Sequence, residues 1–155
     1  MSRIALNGVR YEVHSGGSGP ALLLIHGFAG RGMDWAPLLP ALRRFATTIT
    51  VDLMGHGRSD VPHEPARHAL DAQAADLAAL LDRLDATPAA VLGYSFGARV
   101  ALRLAVDRPA AVRRLVLESP SAGIADPAGR AARAAEDEAL AARIERDGIG
   151  PFVDT

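Results

Sequence analysis

Apolar and polar residues alternate over residues 3–7 and 10–13, on either side of Asn7-Gly8. That pattern predicts a two-stranded hairpin closed by a tight turn. A second turn, Gly16-Gly17-Ser18-Gly19-Pro20, leads into Ala21–Ile25, five apolar residues in a row. Such a run suits a strand buried on both faces. Trp35, Leu38, Leu39 and Leu42 then fall on one helical face, with Asp34 as the N-cap. Residues 46–51 are rich in threonine and β-branched side chains and predict the next strand. Leu70, Ala74, Leu77, Leu81 and Leu84 repeat at helical spacing. Residues 89–92 form another short apolar run, residues 96–106 a helix of small and apolar residues, and residues 112–117 a further strand. Nearly all-apolar strands alternating with helices predict an α/β fold, a mostly parallel sheet with helices on both faces. The opening hairpin adds an antiparallel edge, and there is no internal repeat.

The texture changes after Glu118. Residues 119–123 are a loop of small residues, and Asp126-Pro127 supplies an N-cap with proline at the first helical position. From there to Arg146 the chain is rich in alanine and charge, and the helix ends at Gly148. No strand follows. Residues 1–118 therefore read as the sheet-bearing part and 119–155 as the start of an excursion away from it.

Composition narrows the chemistry. The 155 residues carry a formal charge of −1, with 49% hydrophobic and 23% charged residues, enough for one domain with a real core. The absence of cysteine excludes disulfides, thiolate zinc sites, iron–sulfur clusters and a cysteine nucleophile. All 17 cationic side chains are arginine, so Schiff-base chemistry and a phosphate-loop lysine are excluded too. With no basic run, a nucleic-acid surface is not expected. The first 19 residues lack a signal pattern and no apolar run reaches membrane-spanning length, which makes the cytoplasm the default location. The five histidines have no metal-site spacing, and neither metal nor cofactor is implied.

One motif carries chemistry directly. Gly93-Tyr94-Ser95-Phe96-Gly97 follows a predicted strand and opens a predicted helix, the context of a G-x-S-x-G nucleophile elbow. Its glycines would let the chain turn sharply and stand the Ser95 hydroxyl at the carboxyl end of the sheet. His26-Gly27-Phe28, at the end of the run from Ala21, is placed to complete an oxyanion hole. The expected donors are the main-chain N–H groups of Phe28 and Phe96. His26 is expected to hold its loop rather than to catalyse. Asp52 with Gly55-His56-Gly57-Arg58-Ser59 reads as a scaffold loop, and His14, His63 and His68 as isolated surface residues.

Together these stretches resemble the α/β-hydrolase superfamily, in its order and over essentially the whole chain. Within it, three features resemble the 2-succinyl-6-hydroxy-2,4-cyclohexadiene-1-carboxylate synthases of menaquinone biosynthesis. They are Arg99 after the elbow, Glu118-Ser119-Pro120-Ser121-Ala122-Gly123, and the arginine-bearing run from Arg130 through Arg133 to Asp137, followed by Ile144-Glu145-Arg146-Asp147-Gly148 and Phe152-Val153-Asp154. The resemblance implies a substrate with several carboxylates that loses pyruvate after a serine, activated by histidine, removes a proton. It implies substrate-binding roles for Tyr94, Arg99 and Arg133, the last on the start of a helical cap. Arg99 stands one helical turn beyond Ser95, where its planar fork could pair with a carboxylate.

Something is also missing. In this superfamily the serine is followed by an acid and then a histidine, yet no histidine occurs after His68. Glu118 occupies a position where a few relatives place the acid. The sequence therefore reads as the N-terminal part of such an enzyme, ending inside the cap. Three readings stay open: the pyruvate-eliminating synthase, a carboxylic-ester hydrolase working through an acyl-serine, and a non-catalytic half-domain completed by a second chain.

Overall fold

A computed structural model describes residues 2–121 and 123–153. Contacts divide the chain into two units, Met1–Ser121 and Ala122–Thr155.

The first unit is built on a six-stranded sheet of β1 (Ser2–Leu6), β2 (Val9–Gly16), β3 (Ala21–Ile25), β4 (Thr47–Val51), β5 (Ala89–Tyr94) and β6 (Val112–Glu118), in the order β1-β2-β4-β3-β5-β6. The hairpin of β1 and β2 pairs antiparallel to itself and to β4, while β4, β3, β5 and β6 run parallel. Helices α2 (Leu70–Arg83) and α3 (Phe96–Asp107) pack on one face. There Leu77, Leu80 and Leu81 of α2 and Val100, Ala101 and Leu104 of α3 join Val13, Leu23, Ile25, Ile49, Val51 and Val91 in one core. These strand positions alternate, as the two-residue period of a strand requires. On the opposite face, Arg43 Nε donates to Thr48 Oγ1 at 3.0 Å. Leu24 is fully buried on that side, but its register partner Leu92 is only half-covered and Val116 on β6 is 54% exposed.

The helix expected over residues 35–42 is broken. A 3₁₀ turn at Gly32–Trp35 is followed by the single-turn α1 (Leu39–Leu42). Pro37 and Pro40 explain this, because a proline has no N–H and cannot donate the bond to the residue four back that a continuous helix needs. Asp34 caps nothing downstream; its Oδ2 accepts the Arg31 N–H at 2.8 Å. His14 is also not the isolated surface residue expected: its side chain is 15% exposed and lies 3.5 Å from the buried Glu12 carboxylate.

The hairpin is locked to α2 by a buried polar cluster. Asp76 is fully buried and accepts from Asn7 Nδ2 at 2.7 Å, Tyr11 OH at 2.5 Å and Arg67 Nη2 at 2.6 Å. Burial first, and then the neighbouring Asp76 carboxylate, hold the Tyr11 hydroxyl well above its ordinary pKa. Tyr11 therefore remains a donor.

In the second unit, α4 (Pro127–Asp147) begins as the sequence requires. Asp126 Oδ2 accepts from Gly129 N at 2.7 Å, proline is at the first position, and Gly148 ends the helix at φ +82°. No residue of α4 is buried. A short α5 (Gly150–Val153) follows.

Candidate active site

The carboxyl ends of β3, β4 and β5 bring the sequence motifs together. Ser95 joins β5 to α3 with φ 50° and ψ −109°, a left-handed conformation costly for a residue with a Cβ. The surroundings hold it there: Ser95 N–H donates to Glu118 O at 2.9 Å, and Ser95 O accepts from Ala98 N at 3.1 Å and Arg99 N at 3.3 Å. The flanking glycines do not make the turn, contrary to expectation, since neither has a positive φ. They allow close approach instead. A Cβ on Gly97 would overlap His26 O and lie 2.6 Å from Ile25 O, so only glycine lets α3 seat against the end of β3. A Cβ on Gly27 would lie 2.8 Å from Tyr94 Cδ1 and 3.5 Å from Ser95 Cβ. The loop after β3 is therefore pressed directly against the serine.

Phe96 opens α3, and its N–H is one of the first-turn donors that a helix leaves unsatisfied. Phe28 sits in the neighbouring loop, its ring centroid 6.5 Å from that of Phe96. Both side chains of the Tyr94–Ser95 pair reach solvent, Tyr94 with 47% exposure. Among the described residues, no side chain is hydrogen-bonded to Ser95 Oγ.

His26 is buried and fully engaged. Leu53 N–H donates to its Nε2 at 2.9 Å, which leaves the proton on Nδ1, 2.7 Å from Gly27 O. Burial pushes its pKa below the usual value. A neutral ring bonded at both nitrogens ties the β3 loop to the β4 loop and has no nitrogen left for a serine. Asp52 serves similarly: Oδ1 accepts Gly32 N at 2.7 Å, Oδ2 accepts Arg58 N at 2.8 Å, and its carbonyl accepts the Ser59 hydroxyl at 2.6 Å.

Arg99 is exposed on α3 and, among the described residues, has no ion-pair partner. Arg133 differs. Its Nε donates to Asp137 Oδ1 at 2.9 Å, an exposed pair one turn apart on α4. Glu118 supports the elbow through its main-chain carbonyl, and its carboxylate lies 3.5 Å from Ser119 Oγ.

This strand, strained serine and helix, faced by a glycine loop from the adjacent parallel strand, is the architecture whose family model, the alpha/beta hydrolase fold, matches residues 20–154. The chain belongs to the α/β-hydrolase family. It is 36% identical over 149 residues to a candidate 2-succinyl-6-hydroxy-2,4-cyclohexadiene-1-carboxylate synthase of Bacillus subtilis (strain 168), covering 95% of this chain and 54% of that protein. It is also 36% identical over 124 residues to 2-hydroxymuconate semialdehyde hydrolase of Pseudomonas sp. (strain CF600), covering 77% of this chain and 43% of that one. Among solved structures, a candidate α/β hydrolase from Nostoc sp. PCC 7120 superposes with a TM-score of 0.72 at 31% identity, over 75% of this chain and 41% of that one. The chain thus spans about half the length of these relatives. Among the described residues, no helix is long and apolar enough to cross a membrane, and no cluster of potential ligands could hold a metal.

Proposed function

We propose that this α/β-hydrolase chain contributes the serine, the oxyanion hole and a carboxylate clamp to an enzyme that eliminates pyruvate from a small polycarboxylate, as a menaquinone-pathway synthase in the cytoplasm. Arg99 carries the reading. It is an exposed guanidinium without an ion-pair partner among the described residues, on the helix that Ser95 opens and one turn beyond it. The 36% identity to the candidate synthase supports the same class.

In this reading Ser95, activated by a histidine, takes the proton from the carbon next to the eliminated group. The Phe28 and Phe96 N–H groups stabilise the electron pair left behind as an enolate. It then forms the new double bond as the C–O bond to the leaving group breaks, and the departing enolate takes up a proton on carbon to become pyruvate. Arg99, with Tyr94 beside the serine, holds substrate carboxylates, and a substrate-binding role for Arg133 rests on the resemblance to the synthases alone. His26, committed at both nitrogens, is not the activating histidine, and the reading assigns that histidine and its acid to sequence beyond these 155 residues.

The 36% identity to 2-hydroxymuconate semialdehyde hydrolase favours a second reading, hydrolysis through an acyl-serine. Arg99→Ala in the full gene product separates the two. Pyruvate release from the synthase precursor, followed through lactate dehydrogenase, is expected to fall about 10- to 100-fold in kcat/KM, the loss of one charged pairing. Hydrolysis of p-nitrophenyl butyrate should change less than about twofold, since that ester has no carboxylate to clamp. Pyruvate release that survives Arg99→Ala intact, or no release at all, overturns the synthase reading.

A further inference from the structure

The scaffold loop after β4 carries a side chain that the scaffold does not need. Gly55 and Gly57, at φ +77° and +53°, fold the chain tightly on either side of His56. A Cβ at Gly57 would overlap the Asp52 carboxylate, so only glycine lets the turn close against it. The backbone of His56 is tied on both sides, its N–H donating to Leu53 O at 2.9 Å and its carbonyl accepting Ser59 N at 3.1 Å. Its Nδ1 lies 2.9 Å from Met54 O, and since a carbonyl only accepts, Nδ1 carries the proton. The ring is thereby fixed by its own loop.

Three other rings converge on it. The His56 centroid is 5.1 Å from His26, 6.0 Å from Phe28 in an edge-on contact, and 6.3 Å from Phe96 in a near-parallel stack at 22°. Phe28 and Phe96 touch each other edge to face at 6.5 Å. These are the two residues whose main chains are proposed to bind the oxyanion, and they follow different strands, Phe28 in the loop after β3 and Phe96 at the start of α3 after β5. His56 is the one ring of the β4 loop that packs on both.

We propose that His56 is a positioning residue: a rigid post against which the rings of Phe28 and Phe96 are packed, setting the spacing between their N–H groups. The proposal rests on the serine and oxyanion-hole reading above, but not on which substrate is used. Packed aromatic pairs have preferred offsets, and their rigid rings transmit a displacement to the backbone that bears them. A donor displaced by about 1 Å costs about 100-fold in rate.

The test uses the full gene product with His56→Ala, His56→Phe and His56→Gln. His56→Ala is expected to lower kcat about 100-fold with KM within about twofold, in whichever of pyruvate release and ester hydrolysis the enzyme catalyses. An oxyanion forms in both. Arg99→Ala should affect only the first, so loss of the synthase reading and loss of this one are distinguishable. His56→Phe keeps a ring and should recover most of the rate, whereas His56→Gln keeps polarity and should not. The kcat pH profile should keep its shape throughout. The ¹H–¹⁵N resonances of Phe28 and Phe96, read without any substrate, should both move in His56→Ala and much less in His56→Phe. If His56→Ala does not fold, the His56→Phe and His56→Gln pair decides. Unmoved amides in His56→Ala, equal loss of rate in the Phe and Gln variants, or a vanished limb of the pH profile overturns the proposal.

Discussion

Replacing Asp76 with alanine tests how the hairpin is held. The wild-type carboxylate is fully buried and receives three donors, from Asn7, Tyr11 and Arg67. Alanine removes the acceptor of all three at once. It leaves the Arg67 guanidinium, only 24% exposed and with Nε already unpaired, beside a buried Tyr11 hydroxyl without a partner. Breaking a buried ion pair on one side costs about 3–5 kcal/mol. The total stability of a domain is about 5–15 kcal/mol, so this is a large fraction. With a urea m-value of about 2 kcal/mol/M, the midpoint should fall by roughly 1.5–2.5 M at constant m. Urea titration followed by circular dichroism and by the single tryptophan, Trp35, measures it. Tyr11→Phe alone should cost about 1.5–3 kcal/mol, the value of a hydrogen bond to a charged group. Added to Asp76→Ala it should cost almost nothing further, since its acceptor is gone. A loss below about 1 kcal/mol for Asp76→Ala, or full additivity with Tyr11→Phe, would refute the argument that the carboxylate organises the cluster.

Two further outcomes follow from the loop after β3. The lowered pKa of His26 means that the unfolded chain takes up a proton at higher pH than the folded one, so stability should fall as pH drops through about 6.5. Urea midpoints at pH 7.5 and 5.5 should show the drop in wild type and little of it in His26→Gln; equal slopes would sink the assignment. Gly97→Ala should lower Tm by about 3–10 °C, because the new methyl meets the main-chain oxygens of Ile25 and His26, which cannot rotate away. An unchanged melting curve would mean that α3 can retreat from β3 without loss.

The parallel strands and their helices were legible because each is a short apolar run or a clean helical repeat. The elbow was legible because its glycines and serine stand between two such elements. What the pattern missed involves proline and long-range polar contacts. Residues 35–42 have helical spacing of apolar positions, but Pro37 and Pro40 withhold the N–H donors that a continuous helix requires. Asp76 lies three residues after Gln73 and four before Leu80, on the buried side of α2. A charge there signals a partner, yet Asn7 and Tyr11 are 69 and 65 residues away, beyond any local pattern. His56 was read as loop because its neighbours in sequence are loop residues. Its ring contacts come from two other strands.

The sheet is not closed in the order in which the chain is made. β2 and β3 follow one another in sequence but leave a slot between them that β4 fills, whereas β5 and β6 are added outward from β3 one after the other. The hairpin therefore has no strand to join until residue 51 is in place, and its lock arrives only with Asp76. Long-loop closures of this kind are the slow part of assembling a sheet. The pairing of β3 with β5 beside Ser95 closes a longer stretch of chain still, with Leu22 facing Ala90 where β2 and β4 set Val13 against Val51. The turn at the serine is thus set by the longest closure in the sheet rather than by a local one, and it takes shape only when β5 has reached β3.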